Sequence, residues 1–136
     1  MPNREPLRVG VAAGVLIEKD GKYLLIQEKK KVAYGLWNLP AGKVEGNDTF
    51  ADTAVREAKE ETGLDVEIIR KIGVFHNDGE GAVKHAFSAK VIGDTLHVKK
   101  DEVLDVKWFT YDEIMKMKDK LRDPWVLDSI SALKNM

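Results

Sequence analysis

The chain has 136 residues, 43% of them hydrophobic, which is enough apolar material for one domain with one core. With 22 basic and 23 acidic residues the net charge is −1, so no broad basic surface is expected to bind a nucleic-acid polymer. The absence of cysteine excludes disulfides, thiol catalysis and cysteine-ligated zinc. Because the sequence shows neither a membrane-length apolar stretch nor an apolar signal segment in its first residues, we expect a single cytoplasmic domain over residues 1–136, without membrane contact.

A β-hairpin is predicted at the start of the chain. Residues 9–18 are rich in small and branched apolar residues, and Asp20 with Gly21 gives a turn signal. Residues 23–27 are predicted to form the returning strand.

A basic loop and a short strand are predicted next. The loop, residues 29–35, contains three consecutive lysines that form either a solvated tip or a surface that steers an anionic substrate. Residues 36–40 are predicted as a strand, in which Trp37 belongs either to the core or to a substrate pocket.

A short helix is predicted between Thr49 and Gly63. Thr49 followed by Asp52 resembles a capping box, and Gly63 occupies the place of a left-handed C-cap. Five apolar residues recur at helical spacing, so this stripe is expected to be buried: Phe50, Ala51, Ala54, Val55 and Ala58.

Three carboxylates interrupt this otherwise ordinary helix. Glu57 and Glu61 lie one above the other with Glu60 beside them, and Glu61 projects into the apolar stripe. Clustered carboxylates repel, and burying one costs free energy unless something compensates the charge. A hard cation such as Mg²⁺ would do so, because it prefers carboxylate and carbonyl oxygens. For Glu60 alone, a solvated acidic face is the alternative.

The second half of the chain is predicted to alternate strands with short helices. Strands are expected over residues 64–74, 82–92 and 102–109, with a turn-rich loop at residues 76–81 that carries Asn77, Asp78 and Gly79. A helix capped by Thr110 is expected over residues 111–118, and Pro124 opens a last helix that runs to residue 133. These elements favour an α/β fold with a mixed sheet between helices.

The run from Gly42 to Leu64 resembles the box of the Nudix hydrolase family. The family pattern is Gly, five residues, Glu, seven residues, then Arg-Glu-apolar-any-Glu-Glu-any-Gly-apolar, and every spacing is matched. One residue differs, since the first glutamate of the pattern is Asp48 here. The resemblance implies an α/β/α sandwich and a hydrolase of phosphorus anhydrides of the MutT-like kind.

The same resemblance implies roles for the box residues. Glu57 and Glu61 would be ligands of Mg²⁺ or of Mn²⁺ in its place, with Glu60 a ligand or a close neighbour. The Gly42 carbonyl would complete the set. Arg56 would hold Asp48, whose shorter side chain leaves open whether it reaches that arginine or acts as a helix N-terminal charge. The general base is either a box glutamate or Glu102, for which an ordinary charge at a strand entrance is an equal alternative.

Substrate-binding residues are predicted outside the box. Arg122 and Asp123 lie where MutT-like relatives place a substrate contact, although a plain helix start explains them equally well. His85 is either a hydrogen-bonded core histidine or a substrate-facing residue. Neither the proline that is typical of ADP-ribose hydrolases nor the tyrosine of diadenosine-polyphosphate hydrolases occurs in residues 78–83. The expected substrate is therefore a nucleoside triphosphate or a small diphosphate metabolite. A ligand-sensing module without turnover is the alternative, and a homodimer is left open.

Overall fold

The computed structural model describes residues 4–6, 8–76, 81–93 and 95–136, so the predicted turn at Asn77, Asp78 and Gly79 lies outside the described residues. The strands within these ranges are β1 (Gly10–Lys19), β2 (Lys22–Glu28), β3 (Trp37–Asn38), β4 (Ala41–Lys43), β5 (Asp65–Phe75), β6 (Ala82–Gly93) and β7 (Val103–Thr110). The helices are α1 (Phe50–Thr62), α2 (Tyr111–Lys116) and α3 (Trp125–Lys134), with short 3₁₀ turns at Lys31–Ala33 and Lys118–Lys120.

Strand β1 is the centre of a mixed sheet. It pairs antiparallel with β2 and with β4, and parallel with β6 from Gly10 opposite Ala82 to Ile17 opposite Ala89. Strand β5 extends the sheet beyond β6, while β3 and β7 both pair with β2. The mixed sheet predicted from the sequence is therefore present.

Two hydrophobic cores lie on opposite faces of this sheet. Alternate side chains of β1 point to opposite sides, so Val15 and Ile17 pack with helix α1 while Leu16 packs with α2 and α3. Ala54 and Ala58 are fully buried on the α1 side, as predicted for the apolar stripe. The two helical layers and the sheet between them form the predicted α/β/α sandwich.

The helix ends follow the capping residues that predicted them. The Thr49 side chain accepts a hydrogen bond from the Asp52 backbone N–H at 3.0 Å, and Gly63 adopts φ 81° at the end of α1. Thr110 and Glu113 form a full capping box at α2. Helix α3 begins directly after Pro124.

The structure corrects some of the predicted details. Residues 41–43, for which the sequence predicts no strand, form strand β4 because they pair with β1. The strand predicted over residues 36–40 is limited to Trp37–Asn38, and α2 ends at Lys116 instead of residue 118. Phe50 is 38% exposed, because as the first helical residue it stacks on His85 and leaves its other side open. Within the described ranges, no helix is long and apolar enough to cross a membrane.

Candidate active site

Strand β4 brings the backbone of Gly42 directly under helix α1. Gly42 pairs with Ala13 of β1, which fixes its position in the sheet. A Cβ atom built on Gly42 would overlap the Glu57 carboxylate, so any larger residue would displace this side chain. The box glycine therefore allows the Glu57 carboxylate to approach the chain closely.

Glu61 is a buried carboxylate. It is 6% exposed, and its Oε1 accepts a hydrogen bond from the Ala41 backbone N–H at 2.8 Å. Burial raises the pKa of Glu61 well above its ordinary value of 4.5; the Ala41 hydrogen bond opposes this, and the charges of Glu57 and Glu28 add to it. The side chain therefore lies where the sequence predicts it, inside the stripe that faces the sheet.

Glu57 is half-buried, and its pKa is raised like that of Glu61. Its pKa is raised first by burial and then by Glu60, while Arg56 and Lys30 act in the opposite direction. Glu102 also raises the pKa of Glu57, which shows that this predicted general base contributes to the electrostatics of the box. Glu102 itself is exposed, and its role as base stays a prediction.

Arg56 and Asp48 form an ion pair. The shorter aspartate therefore reaches the arginine, which is the first of the two interpretations left open for Asp48. The Arg56 Nε also lies 3.8 Å from Glu60 Oε1, so Glu60 is held on the half-exposed side of the helix. Arg56 thus links the loop before α1 to the carboxylates on it.

The donor set fits a hard divalent cation. Among the described residues, no three acidic or histidine side chains are already gathered closely enough to hold a metal ion. The available groups are nevertheless all oxygen donors: the Glu57, Glu60 and Glu61 carboxylates and the carbonyl groups of β4. Burial is the first cause that raises the pKa of Glu57 and of Glu61, and the charge of a neighbouring carboxylate adds to it in both cases. A cation such as Mg²⁺ or Mn²⁺ would compensate this charge.

Two adjoining clefts open beside these carboxylates. The first, which we call the carboxylate cleft, has a volume of about 310 Å³ and is lined by Lys30, Gly42, Lys43, Glu45, Arg56, Glu57 and Glu60. The second, which we call the tryptophan cleft, has a volume of about 320 Å³, and Glu28, Asn38, Lys84, Arg122 and Trp125 contribute to its lining. Both clefts share Lys30, Gly42 and Lys43. One extended ligand can therefore span them.

The basic loop forms part of this site. Lys30 lines both clefts, as a surface that steers or binds an anion would require. Its neighbour Lys29 instead donates a hydrogen bond to the Lys100 carbonyl at 2.6 Å, which ties the loop to the segment before β7. The three lysines therefore do not form a uniform solvated tip.

Two of the predicted substrate contacts lie elsewhere. Trp37 is 8% exposed and packs edge-to-face on Phe109 with ring centroids 5.0 Å apart, so the core interpretation describes it better than the pocket one. His85 lines neither cleft: its Nδ1 lies 2.8 Å from Lys71 Nζ, and its ring stacks on Phe50.

The predicted pair Arg122 and Asp123 is divided by the structure. Arg122 lines the tryptophan cleft, whereas Asp123 lines a separate cleft of about 500 Å³ beside α2 and α3. Asp123 Oδ1 accepts a hydrogen bond from the Trp125 backbone N–H at 2.9 Å, and its other oxygen pairs with Lys84. The plain helix-start interpretation therefore applies to Asp123.

Sequence reasoning missed three residues of the tryptophan cleft: Glu28, Asn38 and Lys84. Asn38 joins the cleft to the core, because its Oδ1 accepts a hydrogen bond from Trp125 Nε1 at 2.7 Å and its Nδ2 donates one to Glu28 Oε1 at 3.2 Å. Glu28 ends β2, Asn38 ends β3 and Lys84 lies within β6, and other polar residues in β2 and β6 leave no pattern that singles them out.

Comparison with known proteins agrees with this geometry. A model of the NUDIX domain matches residues 6–129, which is most of the chain. The chain belongs to the Nudix family. The predicted family and fold class are thereby confirmed, and the predicted hydrolase class is confirmed at the level of the family.

Individual Nudix relatives differ in the substrate that their names give. An ADP-ribose pyrophosphatase of Methanocaldococcus jannaschii is 34% identical over 115 residues, which cover 82% of this chain and 68% of that protein. The 8-oxo-dGDP phosphatase NUDT18 of Mus musculus is 33% identical over 102 residues, which cover 73% of this chain and 31% of that protein. The chain thus spans about a third of the length of some curated relatives that it matches.

A solved Nudix structure shares the fold closely. The NUDIX hydrolase from Nitrosomonas europaea superposes with a TM-score of 0.85 at 26% sequence identity, and the match covers 94% of this chain and 90% of that one. The sandwich and its sheet order are therefore those of the family.

Proposed function

We propose that this Nudix chain is a pyrophosphohydrolase that depends on Mg²⁺, with Mn²⁺ as a substitute. It would cleave the diphosphate linkage of a nucleoside triphosphate or a similar nucleoside-diphosphate-linked metabolite by attack of water on phosphorus. The observation that carries this proposal is the position of the Glu57 and Glu61 carboxylates, which lie between α1 and the backbone of β4 beside the carboxylate cleft.

The chain's residues divide the work of phosphoryl transfer. Glu57 and Glu61, with Glu60 beside them, would hold the cation, which when bound neutralises phosphate charge and acidifies a water molecule. Lys30 and Lys43 lie where both clefts meet and would bind the non-bridging phosphate oxygens. Either a box glutamate or Glu102 would take the proton of the attacking water. Positioning and charge stabilisation supply most of the rate of such reactions.

The dimensions of the site support a nucleotide-sized substrate. The two clefts adjoin along Lys30, Gly42 and Lys43, so a diphosphate can lie in the carboxylate cleft while its nucleoside enters the tryptophan cleft. The names of the relatives support the same class, because ADP-ribose and 8-oxo-dGDP are both diphosphates of purine nucleosides. We further propose one domain over the whole chain and a cytoplasmic location, with no nucleic-acid polymer as partner and a homodimer left open.

A substrate panel tests the activity. Release of phosphate and pyrophosphate would be measured for nucleoside triphosphates, nucleoside diphosphates and ADP-ribose, with MgCl₂ or with a chelator. We expect release that requires the metal and falls by about 100-fold or more in Glu57→Gln and in Glu61→Gln. Asp52→Asn is the matched control, because it removes an exposed carboxylate from the same helix and should retain full activity.

Two outcomes would argue against the proposal. No metal-dependent release from any member of the panel would contradict the assigned activity. Tight ligand binding without hydrolysis, unchanged in Glu61→Gln, would instead indicate the ligand-sensing module. The aspartate at position 48, where the family pattern has glutamate, is the residue that favours this module, and its ion pair with Arg56 weakens that support because the shorter side chain still reaches the arginine.

A further inference from the structure

A buried ion pair lies at the end of the tryptophan cleft. It joins Lys84 of β6 to Asp123, the residue before Pro124 at the start of α3, and the two side chains are only 13% and 3% exposed. A pair this deeply buried is seldom a net source of stability, because both charges lose their hydration. The pair is not part of the carboxylate site, so its presence needs a separate explanation.

The two members of the pair face different surroundings. Lys84 lines the tryptophan cleft, and its ammonium group lies 5.5 Å from the ring centre of Trp125. Asp123 does not line this cleft: one oxygen accepts the Trp125 backbone N–H, and the other pairs with Lys84. Asp123 is therefore a positioning residue, which fixes the ammonium group that the cleft presents.

The polar side chains of the tryptophan cleft differ in whether they donate or accept hydrogen bonds. Asn38 lies in the middle, where its oxygen is occupied by Trp125 Nε1 and its amide by Glu28. Glu28, an acceptor, lies on the side of Glu61, whose pKa it affects. Lys84 lies beside Trp125, Arg122 also lines the cleft, and both side chains are pure donors. Among the described residues, the Arg122 guanidinium has no side-chain partner.

We propose that Lys84 and Arg122 select a nucleobase that presents a carbonyl oxygen over one that presents an amino group, with Asp123 holding Lys84 in place. The inference rests on the proposed function in taking the ligand to be a nucleotide. Two cationic donors favour an acceptor edge such as O6 and N7 of hypoxanthine or guanine. The 6-amino group of adenine would instead direct its own donor at them and leave buried polar groups unpaired.

Inosine and adenosine monophosphates give the sharpest test, because their bases differ at position 6 and in the proton at N1. Binding of both would be measured by calorimetry in the presence of MgCl₂, so that no hydrolysis is needed. We expect IMP to bind about 10- to 100-fold more tightly than AMP. The ratio of kcat/KM for ITP and ATP should change in the same direction.

Three variants test the assigned residues. The double variant Lys84→Met with Asp123→Asn removes both charges without leaving one buried alone, and it should reduce the preference for IMP to about threefold or less. Asp123→Asn retains the oxygen that caps Trp125 but leaves Lys84 buried without its counter-charge, so it should lower both the preference for IMP and the stability of the protein. Arg122→Gln should also reduce it, and this change at a half-buried position leaves the fold intact. Lys90→Met, on an exposed part of the same strand, is the control.

The results that would overturn this inference differ from those that would overturn the proposed function. Equal affinity for IMP and AMP, binding of neither, or a preference unchanged in the double variant and in Arg122→Gln would overturn the role of Lys84 and Arg122. If IMP is preferred as expected but no nucleotide is hydrolysed, the proposed activity fails and the assigned selectivity stands.

Discussion

Replacing Glu61 by glutamine is expected to stabilise the protein in the absence of divalent cations. The wild-type carboxylate is 6% exposed and, within the described part of the chain, accepts one hydrogen bond, from the Ala41 N–H. The nearest box carboxylate, Glu57, repels it. Glutamine keeps an oxygen acceptor for Ala41 and removes the buried charge. We expect the free energy of unfolding to rise by about 1–3 kcal/mol at about pH 8, after the new amide donor is desolvated.

The effect has a defined pH dependence. Because the pKa of Glu61 is raised in the folded protein, the folded state binds this proton more tightly than the unfolded chain does. The wild-type free energy of unfolding therefore falls as the pH rises from 4.5 through the folded pKa. Glutamine mimics the protonated form and loses no stability in that window. The advantage of the variant should thus be largest at alkaline pH and disappear below 4.5.

Thermal unfolding in a chelator, followed by circular dichroism across this pH range, measures the effect. A gain of 1 kcal/mol corresponds to a rise in Tm of roughly 3–5 °C for a domain of this size. Glu67→Gln is the control, because Glu67 is exposed and forms only a long ion pair with Lys90. A glutamine variant that is less stable than wild type at alkaline pH would refute the reasoning, since it would mean that the protein itself compensates the charge.

Two further predictions concern side chains outside the carboxylate cluster. Asn38→Ala leaves the buried donors Trp125 Nε1 and Leu39 N–H without their acceptor, so chemical denaturation should show a loss of about 2–5 kcal/mol. Asn38→Asp keeps the acceptor oxygen but sets a second carboxylate against Glu28, so it should not restore the stability of the wild type. Burial and then Lys71 lower the pKa of His85, so the stability that neutral His85 contributes should be lost as the pH falls below 6.5. NMR titration should show the pKa of His85 rising in Lys71→Met. An unchanged pKa in that variant would contradict the contact with Lys71.

The order of strands and helices could be predicted from the sequence because local signals mark most of their ends. Thr49 and Gly63 bound α1, and Thr110 begins α2. Strand β4 was missed because a three-residue strand carries too little periodicity of its own and exists only through its pairing with β1. The exposure of Phe50 was missed for a related reason, since helical spacing does not reveal where the sheet beneath a helix ends.

The site was predictable only where one continuous segment supplies it. Glu57, Glu60 and Glu61 occur within five residues of one helix, so their crowding is visible in the sequence. The tryptophan cleft is assembled instead from strands β1, β2, β3, β4 and β6, the basic loop and the start of α3. No sequence pattern joins Lys84 to Asp123, because their proximity depends on how α3 packs against the sheet. This is why Asp123 was expected to contact substrate and Lys84 was not singled out.

Several features that oppose stability in this protein lie along the two clefts. Glu61 is a carboxylate within an apolar stripe, and Lys84 is a cation buried against Trp125. Between them, Asn38 bonds Glu28 on one side and Trp125 on the other. Apolar residues of similar volume would satisfy the fold at least as well at the two charged positions. Since conflicts between local sequence and fold are concentrated at functional sites, their arrangement supports the proposal that both clefts serve one ligand, with its phosphates near Glu61 and its base near Lys84.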